Sequence, residues 1–489
     1  MVQQDISLFP MLAAPGKIRV WLGLCTQGPA PAPLWLLNGQ PVLAQVQRPL
    51  SPLRSGQRCV YSGIFEFDAA AVSGRAACRL RVSFADGGFQ ELETRPLPAS
   101  VATAPFGEFN VLLVSCYDQS QDASGRIVDV LLRRGLRPDL TLLMGDQVYL
   151  DIPTQKNFPA DSASLLRIFE NNYWKNWTRF RQPDTRTGSA YGRLLAMAPW
   201  AAVPDDHEYW NNAPHCSPVV QNSWTQAGRE AWKTAAEACL KAFQWPAQHL
   251  DGRAFQPGDA LVFDIPPLSF FLADTRSQRS DATGNGSRSM SASAWQQFTA
   301  WQKHVQATGY YGVIASGQPL LDEAAGKIAG RVADYTLPNY GDWPRWSQAL
   351  EDMAANNSPF LLLTGDVHYG RLSDVADRRQ RSERAFLEVI ASPMALVQSV
   401  GLDTWARLNP FRDRLWPRHD DPRPAPVLIG PHKALASTCC YGQKGDHVAL
   451  LRFRHQAGRL DVSVEHHPLH PDQPGMAGSS RSFSLRPRV

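Results

Sequence analysis

The chain has 489 residues, 49 Lys and Arg against 45 Asp and Glu, and a net charge of +4. That balance is too small, and its basic residues too dispersed, for specific nucleic-acid binding or a membrane surface. A hydrophobic share of 44% in a chain of this length is that of a soluble globular protein of two or three domains, and no apolar run is long enough to span a bilayer.

The first ten residues, Met1 to Pro10, show neither a basic segment leading into an apolar run nor a twin-arginine signal. The eight cysteines (25, 59, 78, 116, 216, 239, 439 and 440) follow no zinc-finger spacing. They read as reduced and mostly buried, and a cytoplasmic location is the expectation.

Up to residue 105 the chain reads as all-β. Lys17 to Leu24, Leu34 to Leu37, Arg58 to Phe67 and Ala77 to Phe84 are strand-like runs. Turn pairs such as Asn38-Gly39 separate them, which predicts a small N-terminal β-sandwich domain over 1–105. From Phe106 strands alternate with helices, and a catalytic domain is expected over 106–470 with a tail at 471–489. Phe109 to Val114 is an apolar strand ending in Ser115-Cys116-Tyr117-Asp118. An amphipathic helix, Gly125 to Arg134, leads to the strand Leu140 to Met144, which ends in Gly145-Asp146. Helices follow near 161–180, 189–198 and 222–243. Leu261 to Asp264 and Leu268 to Ala273 form a strand pair that hands over to Asp274-Thr275-Arg276. The Ser-, Gly- and Asn-rich stretch 277–291 reads as a mobile loop. Helices over Ala292 to Val305 and Pro344 to Ala355 precede a second strand with the same ending, Leu361 to Thr364 followed by Gly365-Asp366-Val367-His368. Glu388 to Ala391 is another strand, 403–431 an irregular excursion, and Val448 to Phe453 with Leu460 to Val464 close the chain.

The repeated strand–Gly–Asp phrase carries the argument. In open α/β sheets ligands bind at the carboxyl ends of strands, and two such ends bring Asp146 and Asp366 to one edge. Tyr149 stands three residues beyond the first, and His368 shares a side with Asp366 in an extended segment. Between them lies Asp205-Asp206-His207-Glu208, a crowd of ionisable groups that repel unless a cation sits among them. Cys116 adds a soft thiolate, and Tyr149 a phenolate that favours a ferric-type cation. Cys116, Asp146, Tyr149, Asp206, Asp366 and His368 are too many donors for one tetrahedral zinc. They suit two or more cations ~3.5–4 Å apart, which clamp a phosphoryl group and generate hydroxide from water at neutral pH. His207 would then protonate the leaving alkoxide, and Arg276 would fork onto phosphate oxygens or pair with Asp274.

Ser115-Cys116, Gly145-Asp146-Gln147-Val148-Tyr149, Asp205-Asp206-His207-Glu208, Asp274-Thr275-Arg276 and Gly365-Asp366-Val367-His368 together resemble, in order and spacing, the alkaline phosphatase D (PhoD-like) family. That family belongs to the calcineurin-like metallophosphoesterases. The resemblance covers roughly 106–470. It implies an α/β fold, a four-layer αββα metallophosphoesterase sandwich with an N-terminal all-β sandwich. It also implies phosphodiesterase or phosphomonoesterase activity on small phosphate esters. Fe3+ on Cys116, Asp146 and Tyr149 with Ca2+ nearby is implied too, Zn2+, Mn2+ or Mg2+ being the alternatives. By the same resemblance Asp206 takes the place of an Asn ligand, His207 that of a protonating histidine, and Asp366 and His368 that of the final metal-binding pair. The superfamily's opening Asp-x-His is absent, and Cys116 and Asp118 stand there instead. Two other readings compete: a catalytically silent scaffold, and a glycosidase built on Asp206 and Glu208.

Overall fold

The strongest apolar runs of the sequence become strands buried along their whole length. They are seen in a computed structural model that describes residues 5–26, 28–53, 59–69, 77–152, 157–178, 191–326, 330, 334–356, 360–379, 385–395, 428–456, 459–473, 475 and 478–485. Phe109–Val114, Leu140–Met144 and Trp200–Val203 pair in parallel. Leu268–Ala273, Tyr311–Ser316, Phe360–Thr364 and Phe386–Ile390 do the same in a second sheet. Burial without alternation is what a parallel sheet covered on both faces demands.

Each parallel core is widened by antiparallel strands. The first sheet has ten strands, running from Ser479–Leu485, Arg459–Pro468 and His447–Gln456 through the parallel core to Asp5–Met11, Lys17–Thr26, Cys59–Asp68 and Gln45–Pro52. The second has eight. Leu261–Ile265 flanks one side, and Gly370–Asp377, Leu435–Gln443 and Leu428–Ile429 flank the other. Facing residues such as Leu113, Leu142 and Val203 of the first sheet share one core with Phe270, Val313, Leu363 and Val389 of the second. Helices Arg126–Arg133, Ser162–Asn176, Tyr191–Leu195 and Gln226–Phe243 cover the outer face of the first sheet. Ala292–Thr308 and Trp343–Ala355 cover that of the second. The result is the four-layer αββα sandwich.

Local chemistry sets the helix ends. Asp161, Thr225 and Ser291 accept a backbone N–H from the first turn of the helices that follow them, at 2.8, 3.1 and 2.9 Å. Gly309, at φ 68°, ends Ala292–Thr308 in the left-handed conformation.

The N-terminal sandwich is formed by Asp5–Met11, Lys17–Thr26 and Cys59–Asp68 packed on the small sheet Gln40–Pro41, Leu34–Leu37, Cys78–Ser83 and Phe89–Thr94. Leu8, Val20, Leu22, Trp35, Phe67, Leu80 and Val82 fill it. One of its sheets continues into the catalytic sheet, where Met11 lies opposite Trp200. At the far end, residues 479–485 form that sheet's edge strand.

The stretch 277–291 differs from the mobile loop its composition suggests. Its backbone is tied down by Ser280 N–H on the Arg288 carbonyl (2.9 Å), Gly284 N–H on the Asn339 carbonyl (2.9 Å) and Ser289 N–H on Asp342 (2.8 Å). Most of the excursion expected over 403–431, up to residue 427, lies outside the described residues.

Candidate metal centre

Because the core strands of each sheet run parallel, their carboxyl ends share an edge. Cys116, Asp146, Asp205, Asp206, Asp366 and Ser392 all follow such ends. The glycine before each aspartate marks a close approach, between the two sheets at Gly365 and between neighbouring strands of the first sheet at Gly145. A Cβ on Gly365 would lie 2.3 Å from the Ser115 Oγ and 2.4 Å from the Met144 carbonyl oxygen. One on Gly145, whose φ is +84°, would lie 2.4 Å from the Asp205 Cβ. At these strand ends the backbone also turns left-handed at side-chain-bearing residues. φ is 54° at Cys116, 56° at Asp146, 64° at Asp366 and 53° at His368. Each such residue costs about 1–3 kcal/mol and persists only where its surroundings enforce it, a pattern that clusters at functional sites.

The strained residues converge. Cys116, Asp146 and His368 each offer a donor atom within 4.8 Å of the other two, as do Asp146, Asp206 and His207, and likewise Asp205, Asp206 and Asp366. The Cys116 Sγ lies 3.3 Å from Asp146 Oδ2, and the Ser115 and Ser392 hydroxyls approach it to 3.2 and 3.1 Å. The Tyr149 hydroxyl donates to Asp146 Oδ2 at 3.5 Å, and its ring packs 4.3 Å from that of His207. Asp146 thus belongs to two donor groups, and Asp206 links the second to the third.

Electrostatics says what this arrangement lacks. Burial pushes the Cys116 thiol and the Tyr149 phenol well above their usual values, and Asp146 raises both further. Asp366 is raised well above the carboxylate range by burial and then by Asp205, Asp206 and Asp146. Asp146 is raised likewise by burial, against the opposing pull of His207. Acids this crowded and dry hold their protons unless positive charge is supplied. Asp205 Oδ2 is buried without a hydrogen-bond partner. Thiol, phenol, imidazole and carboxylates around a bare carboxylate oxygen are a donor set that fits a cluster of cations.

Around this centre the other polar groups have distinct roles. His207 Nδ1 lies 2.8 Å from Asp151 Oδ1, and the second Asp151 oxygen accepts the Asn211 N–H at 2.8 Å. Burial opposes a charge on the His207 ring. Asp151, Asp206 and Asp146 outweigh it and hold the pKa well above the usual imidazole value. Asp206 Oδ2 accepts the Asn212 N–H at 2.7 Å.

Glu208 turns away from the centre and is fully buried. Its two oxygens accept the backbone N–H groups of Asp146 (2.9 Å), Gln147 (2.6 Å) and Asp205 (2.8 Å). It scaffolds the site and has no oxygen left for sugar chemistry. Asp118 closes its own turn on Ser120, at 2.9 Å to the N–H and 2.8 Å to the hydroxyl, and joins none of the donor groups.

The role expected for Arg276 on phosphate oxygens does not match its surroundings. Its side chain is fully buried, with Nε on Asp205 Oδ1 (2.7 Å), Nη2 on Asp334 Oδ2 (2.7 Å) and Nη1 on the Ala213 carbonyl (2.7 Å). Asp274 does not pair with that guanidinium; it accepts the backbone N–H groups of Arg276 (3.0 Å) and Ser277 (2.8 Å). The guanidinium has its three nitrogens engaged by Asp205, Asp334 and a backbone carbonyl, and anchors two aspartates.

Residues 109–407 match the PhoD-like phosphatase family. The chain belongs to that family. The solved structure of PhoD superposes with a TM-score of 0.63 at 14% identity, covering 98% of this chain and 90% of that one. Purple acid phosphatase PPD1 from yellow lupin (Lupinus luteus) seeds superposes with a TM-score of 0.54 at 10% identity, covering 98% and 74%. At such identities the likeness is one of fold. No curated protein matches the sequence. As a PhoD-like phosphatase the chain is a metal-dependent phosphoric ester hydrolase acting on small phosphate esters.

Proposed function

We propose that this PhoD-like phosphatase hydrolyses both phosphate mono- and diesters. In this reading Fe3+ is held by Cys116, Asp146, Tyr149 and His368, and Ca2+ by Asp146, Asp206 and Asp366. The observation that carries it is the sharing of Asp146. One group around it contains a thiol, a phenol and an imidazole; the other joins it to Asp206, which belongs in turn to an all-carboxylate group with Asp205 and Asp366. The first suits a ferric ion and the second a hard divalent cation. When bound, such cations withdraw charge from phosphoryl oxygens and lower the pKa of water from ~16 towards ~7.

The chain's own residues then divide the remaining work. Asp151 occupies His207 Nδ1 and favours the charged ring, so the proton for the leaving alkoxide comes from Nε2. Glu208, through three backbone N–H groups, holds Asp146 and Asp205 in register. The thiols that are free among the described residues, with Cys216 and Cys440 exposed, support a reducing, cytoplasmic setting.

The test is elemental analysis together with assays on 4-nitrophenyl phosphate and bis(4-nitrophenyl) phosphate. Iron with calcium, a visible charge-transfer band and turnover of both esters are expected. Zinc alone in a colourless protein would remove the iron assignment, and cleavage of the monoester only would remove the diesterase reading.

A further inference from the structure

Sequence reasoning singled out Asp206 from the Asp205-Asp206 doublet as the ligand. We propose that Asp205 is also a direct ligand, facing a cation shared with Asp206 and Asp366, and that Arg276 is the positioning residue that aims it.

The geometry of Asp205 leaves few alternatives. The side chain is fully buried, and Arg276 takes Oδ1 twice, through Nε at 2.7 Å and Nη2 at 2.6 Å. Oδ2 has no hydrogen-bond partner. A buried carboxylate oxygen without a donor is costly, because it has given up water and received nothing in return.

The residue is packed closely, and its carboxylate is held by Arg276. Gly145 from the first sheet and Gly317 from the second close on it from two sides. A Cβ on either would come within 2.4 Å and 3.1 Å of the Asp205 Cβ. Arg276 is itself immobilised by Asp334 and the Ala213 carbonyl. One carboxylate oxygen of Asp205 lies within 4.8 Å of oxygens of both Asp206 and Asp366.

A salt bridge alone would account for Oδ1 but not for Oδ2. Asp206 has one oxygen tied to the Asn212 N–H, so it too presents a single face to the same space. Three carboxylates from two sheets, one of them locked by a guanidinium, form an oxygen cage for a hard divalent cation.

This inference rests on the cation-cluster reading above, and the experiment separates the two. Purified iron-containing protein is treated with a calcium chelator and titrated with Ca2+ by calorimetry, with bound metals counted by elemental analysis. The visible iron band and the thermal melt report on the Cys116 side of the centre and on folding. Asp205→Asn is expected to keep the band and a cooperative melt while binding Ca2+ at least tenfold more weakly or losing one Ca2+ per chain. Arg276→Lys keeps the positive charge but not the fork, and is expected to weaken Ca2+ binding severalfold with the band intact. It decides the matter if Asp205→Asn does not fold. Wild-type Ca2+ number and affinity in either folded variant would overturn the role of Asp205. A wild-type protein that takes up no Ca2+ beside its iron would overturn the cation-cluster reading itself.

Discussion

Replacing Asp151 by Asn tests the proton-donor reading with little change in shape. In the native site one Asp151 oxygen holds His207 Nδ1 and the other the Asn211 N–H, each at 2.8 Å. Asparagine keeps one oxygen for Asn211 but faces the ring with a neutral group. A hydrogen bond to a charged partner contributes ~1.5–3 kcal/mol. At ~1.4 kcal/mol per tenfold, its loss slows protonation of the leaving group ~10–100-fold. The charge of Asp151 is also the largest influence raising the His207 pKa. Removing it lowers that pKa, and since the ring must be protonated to act, the alkaline limb of the rate profile moves to lower pH. The assay is kcat against pH for an alkyl phosphate ester and a 4-nitrophenyl ester, with bound metal counted in parallel. The alkyl ester should suffer most, because nitrophenolate departs with little help. Equal losses for both esters, with metal content unchanged, would refute the assignment of His207 as acid.

Three further predictions concern the whole molecule. Stripping the protein of metal with a chelator should abolish turnover of both ester classes and adding back Fe3+ and Ca2+ should restore it; undiminished activity in metal-free protein would contradict the donor groups around Asp146. Gly365→Ala places a methyl against Ser115 and the Met144 carbonyl, and should lower stability by about 1–3 kcal/mol in a thermal or denaturant melt, whereas an unchanged midpoint would mean the sheets are not in such close contact. Burial lowers His447 to about 3, with help from His466, and lowers His466 to about 4; both stay neutral in the fold, so the stability they contribute is present above the unfolded value of ~6.5 and is lost as pH falls from there towards 3. His447→Gln should flatten that acid limb in a series of melts, and an unaltered slope would show that these rings are not kept neutral by the fold.

Much of the centre was legible because its ligands follow directly on apolar strands. Leu140 to Met144 and Leu361 to Thr364 announce themselves by composition, and Gly-Asp marks where each ends. What stayed hidden was pairing across sequence distance. Arg276 meets Asp205 and Asp334, 71 and 58 residues away, and nothing local distinguishes a guanidinium that binds substrate from one that anchors an aspartate. Asp151 was in plain view, but its partner His207 is 56 residues on. The placing of Asp205 beside Asp206 depends on the turn that begins at Asp206, and on two glycines that pack against Asp205. Among the strands, Asp5–Met11 was missed because Pro10 reads as a breaker. Tyr311–Ser316 was missed because Gly312 and Ser316 dilute its apolar signal.

The closeness of the sheets at Gly365 has a consequence for how the molecule holds together. Cys116, Asp146 and Asp206 ride on one sheet and Asp366 and His368 on the other, so an ion that touches both groups is a cross-link between two halves of the sandwich. It can be bound only when the halves are docked, and by mass action a thousandfold excess of free ion over Kd adds ~4 kcal/mol against their separation. The carboxylates that repel one another in the bare protein then become the fastening of that edge. Resistance to heat and proteolysis would follow the supply of ions, and a cell short of them would lose the enzyme as well as its activity.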